Sequence, residues 1–375
     1  MLPSYPEAKR RALARNVLEN ALRLKRGESV TIETWSSTLP WAESLVLEAR
    51  RLGARPMVIL EDEATWWRSV DTVPTRNLGA IGGQEWAALK HTNAYVALLG
   101  PLDTAREEKV PKSLDSRLSS NDHEWFQTVA RFGIRCARWD LGRTSAVWAQ
   151  RYGLELDTWR NELIEAALVD PRTFQRNGRW LAEKFRRGHE LHLTHPNGTD
   201  LTLELAGRPA VVDDGVVDDQ DIRAGNVVTV VPSGVTTVTV RETAGEGTLV
   251  SNVTGVLFAD QAQTPLHGGS WTVRNGRIAQ FGFARGGDRF RREFARAGPA
   301  RIHPGFISVG LNPKISAIPL LFDQALGTVT FEVGRNSHFG GLTHTPHFAA
   351  YLSVRGGRLE VDGTPVVDGD RVLRE

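Results

Sequence analysis

The sequence predicts a two-domain chain: an open, mostly parallel α/β sheet over residues 1–185, followed by a β-rich domain over residues 186–375. Three observations carry this. The length of 375 residues fits two domains better than one. Up to Phe185, amphipathic helical patterns alternate with short apolar runs, as in sheets whose strands are linked by crossover helices. Beyond Arg186 the apolar period falls to two, and turn residues recur between the runs.

Glu7 to Leu24 places Leu13, Val17, Leu18, Ala21 and Leu22 on one helical face, and Arg26-Gly27 ends it. Val30 to Thr34 reads as a strand, Leu39 to Leu52 as a helix stopped at Gly53, and Pro56 to Leu60 as a second strand. Gln84 to Lys90 is helical and Tyr95 to Leu99 is a continuous apolar strand. The polar stretch Asp103 to Asp122 reads as a surface connection. Ile134 to Asp140 is a strand, and Thr144 or Ser145 can cap the helix that follows. Glu155 to Leu168 and Thr173 to Phe185 complete the helices of the first domain.

His189–His195 and Leu201–Leu205 flank Pro196-Asn197-Gly198-Thr199, a hairpin signal. Val227–Val231, Thr236–Val240, Leu249–Phe258, Trp271–Val273 and Ile278–Phe281 continue as strands of the second domain. A helix is predicted over Asp288–Ala297, and two more beside the Asn312-Pro313 turn and over Leu320–Ala325. Asp362-Gly363 and Asp368-Gly369 mark terminal hairpins.

Composition excludes several functions. A net charge of +2 with acids and bases interspersed gives no basic face for nucleic acid. No window approaches the roughly 18 apolar residues of a membrane span. The N-terminus lacks an apolar signal-peptide core, and the single cysteine, Cys136, sits in an apolar strand, so a cytoplasmic location is expected. No Gly-rich phosphate loop follows a strand, and there is no Gly-x-Ser-x-Gly elbow. His189, His192 and His195 divide between two strand faces and read as surface residues.

The order and spacing of KRGESVTIET, EARRLGARPMVIL, HPNGTDLTLELAG, NVVTVVPSGVTTV, GEGTL, VGLNPKI, DQALGTVTFEVG and HTPHFAAYL span nearly the whole chain. In these segments the sequence resembles the aminopeptidase T family of metallo-exopeptidases. The resemblance implies a two-domain homodimer joined across the C-terminal domain, with two divalent metals in a cleft of that domain. The implied ligand positions are mostly replaced. The glutamate of Pro-x-Gly-Glu-Val is Val235, the glutamate that opens Glu-x-x-x-Gly-x-Asn-Pro is Phe306, the histidine of Gly-Thr-x-His is Thr330, and the aspartate of His-x-Asp is Ala349. A tyrosine expected near Ser337 is absent. His347 alone is retained.

Losing these ligands together avoids crowding carboxylates without a metal to hold them, and leaves a mostly apolar cavity suited to a small organic ligand. Strand parity puts Glu332 on the face of Thr330, and His347 on the face of Ala349 and Tyr351. Three functions follow. The first is an enzyme without a metal cofactor, acting on a small organic or amino-acid-derived substrate. Its catalytic residues would be His347, Glu332 and His344, and Val235, Phe306, Thr330, Arg335, Ala349 and Tyr351 would line the substrate. The second is a metal enzyme, a hydrolase or an iron ring-opening dioxygenase, holding one divalent Fe or Zn through some of His338, His344, His347 and Glu332. The third is a non-catalytic small-molecule-binding protein.

Overall fold

The computed structural model describes residues 5–107, 109–139, 143–259, 262–316, 321, 323–345 and 347–374. The chain forms two compact units, Met1–Leu168 with Gly215–Ser233, and Val169–Asp214 with Gly234–Glu375.

The first unit begins with α1 (Glu7–Arg15), β1 (Ser29–Trp35), α2 (Leu39–Arg51), β2 (Arg55–Glu61), α3 (Glu63–Thr72), α4 (Gly83–Lys90) and β3 (Ala94–Leu98). It continues through α5 (Thr104–Glu107), α6 (Lys112–Phe132), β4 (Arg135–Trp139), α7 (Ala146–Tyr152) and α8 (Leu156–Ala167). The chain then enters the second unit as α9 (Arg172–Arg187), β5 (Glu190–His195), β6 (Thr199–Glu204) and β7 (Val211–Asp213). It returns to the first as α10 (Asp219–Ala224) and β8 (Val228–Val231).

The five strands of the first unit lie in the order β2-β1-β3-β4-β8, all parallel. Leu13, Val30, Ile32, Leu45, Val96 and Trp139 fill one face. Tyr95, Val129, Cys136 and Val227 pack on the other, and burial pushes the Cys136 thiol up and out of reactivity. Ser145 caps α7 by accepting the Trp148 N–H at 3.2 Å, as its position predicts. Among the described residues no helix is long and apolar enough to cross a membrane.

Three readings change here. Residues 112–132, within and beyond the expected surface connection, form the long helix α6, in which only Leu114 and Val129 are fully buried. So sparse an apolar stripe carries little periodic signal. Val228–Val231 pairs in parallel with β4, so it belongs to the first sheet and not to the β-rich unit. The division between units therefore falls at Leu168/Val169, before α9, rather than after residue 185, and the first unit is completed by a later segment.

The second unit continues with β9 (Val235–Thr239), β10 (Glu246–Val250), β11 (Gly255–Ala259), β12 (Ala262–Leu266), β13 (Ser270–Arg274) and β14 (Arg277–Gly282). After α11 (Gly287–Arg296) come β15 (Pro304–Gly310), β16 (Val329–Val333), β17 (Phe348–Val354), β18 (Arg358–Val361), β19 (Thr364–Asp368) and β20 (Arg371–Val372). The expected single run Leu249–Phe258 is two strands, broken at 251–254. Asn312–Lys314 is a turn, and the helix expected over Leu320–Ala325 falls partly on 317–320 and 322, outside the described residues.

Two antiparallel sheets result, β14-β13-β10-β6-β5-β18-β19-β20 and β12-β11-β17-β16-β15-β9-β7. Their facing sides share one core with α9, including Leu193, Leu249, Trp271, Ile307, Phe331, Leu352 and Phe185. Burial of each such side chain contributes about 1.5–3 kcal/mol. Turn chemistry sets the register: Asn275 and Gly276 have φ 48° and 64°, and Asp362 and Gly363 have φ 49° and 75°. These left-handed pairs match the twist of two-residue hairpins.

Candidate functional site

Because β15, β16 and β17 send alternate residues into the shared core, the intervening residues form a second face. Ile307, Phe331 and Leu352 point into the core. Phe306, Ser308, Thr330, Glu332, Ala349, Tyr351 and Ser353 take the other side. Pairing sets them in rows. Thr239, Phe306, Glu332, Tyr351 and Val256 stand in register across five strands. Thr237, Ser308, Thr330 and Ser353 form the next row. Val235, opposite Gly310, and Ala349, opposite Phe258, lie at the margins. Val235, Phe306, Thr330 and Ala349, the four positions where the family resemblance implies ligands, therefore share one face, all buried.

The hydroxyl row is self-satisfied. Thr237 Oγ1 and Ser308 Oγ are 3.0 Å apart, and Thr330 Oγ1 and Ser353 Oγ 2.8 Å. Beside it the chemistry concentrates on Glu332, which is 0% exposed. Its Oε1 accepts the Arg335 backbone N–H at 2.8 Å, while Oε2 is buried with no hydrogen-bond partner. Burial pushes the carboxyl up to about 8, against the opposing pull of the Arg335 N–H and guanidinium. Burial also pushes the Tyr351 phenol up to about 12, although Arg335 donates a hydrogen bond to it. At neutral pH the site is a neutral carboxylic acid beside a guanidinium and a neutral phenol.

Aromatic rings surround this trio. Tyr351 is edge-on to Phe258 at 5.4 Å and tilted against Phe306 at 6.0 Å. Phe339, from the short turn Ser337–Phe339, meets Phe306 edge-on at 5.2 Å. That turn is fixed by Asn336. Its amide Nδ2 donates to Glu242 Oε1 and Gly305 O, both at 2.9 Å, and its Oδ1 accepts from Thr343 N at 2.8 Å and Thr343 Oγ1 at 2.6 Å. Glu242 also accepts the Leu342 N–H at 2.7 Å and a bidentate Arg208 at 2.7 and 2.9 Å. Burial works against its ionisation, but Arg208, the Leu342 N–H and Asn336 outweigh it and hold the carboxyl down at about 2.

Of the residues singled out in the sequence, Glu332, Arg335, Tyr351, Phe306, Thr330 and Ala349 come together. His344 and His347 are exposed on the segment entering β17, and His344 Nδ1 lies 3.3 Å from Ser337 Oγ. The side chain of His338 lies outside the described residues. No three His, Cys, Asp or Glu side chains among the described residues gather as a metal-holding group. His189, His192 and His195 stay apart, with His192 Nε2 held 2.8 Å from Asp200 Oδ1. Sequence reasoning missed Gly305, Glu242, Asn336 and Phe339. A charged residue just past a Thr/Val strand, and an Asn shortly before Gly340-Gly341, were the signals for Glu242 and Asn336.

A cavity of about 470 Å³ opens beside Glu242, lined by Arg208, Arg241, His303, Leu342 and Thr343 among others. Its charges are internally paired, Arg208 with Glu242 and Arg241 with Glu204. It does not reach Glu332.

No protein-family model matches the chain, and no curated protein matches it in sequence. Solved structures do. AmpT from Thermus thermophilus superposes with a TM-score of 0.71 at 17% identity, over 98% of this chain and 100% of that one. A 2,5-dihydroxypyridine dioxygenase from Pseudomonas putida KT2440 gives 0.65 at 16% identity, over 99% of each chain. The fold is thus the AmpT fold, as the sequence predicts, and it is equally the fold of a dioxygenase.

Proposed function

We propose that this chain is an enzyme on the AmpT fold that acts on a small organic or amino-acid-derived substrate by acid–base chemistry, with Glu332 as its proton-transfer group. The observation that carries the reading is the buried, unpartnered Oε2 of Glu332 on the face where the implied ligand positions meet. A carboxylic acid kept neutral at pH 7 donates a proton that a solvated carboxylate cannot. Arg335 stabilises the carboxylate left behind, and Phe258, Phe306 and Phe339 offer apolar contact to a flat substrate. His347, exposed on the segment that leads into β17 at Phe348, is the second proton-transfer candidate, at the rim.

The residues on this face do not fit the divalent metals that the fold's resemblance implies. The strand face itself offers one carboxyl, Glu332, and a row of paired hydroxyls, with one further acid, Asp323, acting on Tyr351, and the Arg335 guanidinium beside Glu332 would repel a cation. The chemistry is therefore assigned to the side chains alone.

The test has two arms. Protein purified without chelator is assayed for metal content; two equivalents of zinc, cobalt or manganese per chain, or one of iron, overturns the reading. A screen of amino-acid amides, esters and small aromatic acids is run on wild type and Glu332→Gln. The expected result is turnover that falls as pH rises through about 8 and drops at least 100-fold in the variant. Turnover that survives Glu332→Gln but not His347→Ala moves the chemistry to the histidine.

A further inference from the structure

Strand β2 is one edge of the parallel sheet, and it is unusually bare. All seven of its residues, Arg55–Glu61, pair with β1 without a bulge. Yet none of the seven is buried, and Met57, Val58 and Leu60 are 41%, 41% and 51% exposed. These are three of the few exposed large apolar side chains among the described residues, and they lie on both faces of one strand. A long, flat, apolar edge of this kind is normally blunted by lysines, a bulge or a covering element. Here only Pro56 interrupts it.

The Arg55 N–H donates to Glu28 O at 2.8 Å. By alternation Arg55, Met57, Ile59 and Glu61 direct their peptide groups toward β1, and Pro56, Val58 and Leu60 direct theirs outward. Pro56, which has no N–H, thus sits where an inward donor is not needed. The strand is also self-complementary in charge. It begins with Arg55 and ends with Glu61, both exposed, and neither forms an ion pair with a described residue. The charges around Glu61 are carboxylates, namely Glu33, Glu85 and Asp62, so it has a like-charged setting and no cation of its own.

We propose that β2 pairs antiparallel with β2 of a second copy of this chain about a two-fold axis through Val58, joining the two parallel sheets into one. In that register Arg55 of each copy faces Glu61 of the other, Met57 faces Ile59, and Pro56 faces Leu60. Val58 meets its own equivalent as a hydrogen-bonded pair, and each Leu60 N–H reaches the other Pro56 carbonyl. The apolar side chains become cross-strand pairs, and each Glu61 gains the cation it lacks. This interface lies in the first unit, not in the C-terminal domain where the family resemblance places one. It is independent of the function proposed for Glu332.

The full-length chain is examined by sedimentation equilibrium at low ionic strength. R55E and E61R each set like charges opposite one another twice per dimer, so each variant alone is expected to self-associate at least about tenfold more weakly. An equimolar mixture of the two puts opposite charges together at both ends and restores wild-type affinity. Val58→Cys is expected to give a disulfide-linked dimer under mild oxidation, because the paired Cα atoms lie about 5.5 Å apart. Leu60→Cys, offset from its equivalent by more than about 13 Å, is not. The native Cys136 is buried and does not interfere. A chain that is monomeric at about 100 µM overturns the proposal. So does a dimer unaffected by R55E and E61R, or failure of Val58→Cys to cross-link a dimer that is present.

Discussion

Gly305 and Glu332 are fitted to each other: a Cβ on Gly305 would lie 1.8 Å from Glu332 Oε2 and 3.0 Å from its Cδ. Gly305 stands where the register of β15 against β16 shifts, between Pro304 and Phe306. The shift and the missing side chain together make room for a carboxyl on a strand face otherwise lined by hydroxyls and aromatic rings.

Gly305→Ala is therefore expected to destabilise the protein by about 1–3 kcal/mol, through overpacking against a carboxyl whose Oε1 is bonded to the Arg335 N–H. The cause is separable. In the Glu332→Ala background the same substitution should cost less than about 1 kcal/mol, because the obstructing oxygen is gone. Urea unfolding of the two single variants and the double variant measures the coupling, and equal costs in both backgrounds would show that Gly305 answers to something else.

The raised carboxyl of Glu332 makes a statement about stability. Its folded value of about 8 lies above the ordinary 4.5, so between those values the folded chain holds a proton that the unfolded chain has released. Stability is then full below pH 4.5 and falls as pH rises toward 8, by up to about 5 kcal/mol from this group. Glu332→Gln removes the titration. Its Tm is expected to exceed that of wild type at pH 9, and the gap should narrow as pH falls toward 5. A wild-type and variant difference that stays constant from pH 5 to 9 would contradict the assignment.

Much of this site was legible because strands alternate. Parity alone puts Glu332 with Thr330, and Ala349 with Tyr351, and the pairing of Glu332 with Tyr351 then joins them. The Asn275-Gly276 and Asp362-Gly363 turns were legible for a similar reason, since few residues accept a positive φ. What could not be read is what depends on distant partners. Val228–Val231 looks like any antiparallel strand until β4 is beside it. Glu242 reads as a surface charge until Arg208, Asn336 and Leu342 converge on it from three other segments. Gly305 gives no local signal at all, because its purpose is the carboxyl across the strand.

Glu242 should behave in the opposite sense to Glu332. Its carboxyl is held at about 2, so the stability it contributes is present above pH 4.5 and is lost as pH falls toward 2. Glu242→Gln breaks a buried pair and leaves the Arg208 guanidinium without its counterion, at a cost of about 2–4 kcal/mol. The loss is local as well as global. Hydrogen exchange at Leu342 and Thr343, whose N–H groups point to Glu242 and Asn336, should speed up more than exchange in the β5–β6 hairpin. Uniform acceleration across the second unit would show that Glu242 supports the core and not this loop.

Arg335 ties the two ends of the site together, and removing its charge separates electrostatics from packing. The guanidinium lowers the pKa of Glu332 and of Tyr351, in both cases against a larger effect of burial. In Arg335→Met the aliphatic stem is kept and the backbone N–H still donates to Glu332 Oε1. Both groups should then titrate higher than in wild type. For Glu332 this moves the pH at which stability falls upward from about 8, and any turnover that depends on its proton should persist to correspondingly higher pH. The pH dependence of Tm and the chemical shift of a ¹³C-labelled Glu332 carboxyl report the shift directly. A midpoint that moves down, or does not move, would mean that Arg335 is turned away from the carboxyl in solution, and the acid would then stand alone among the aromatic rings.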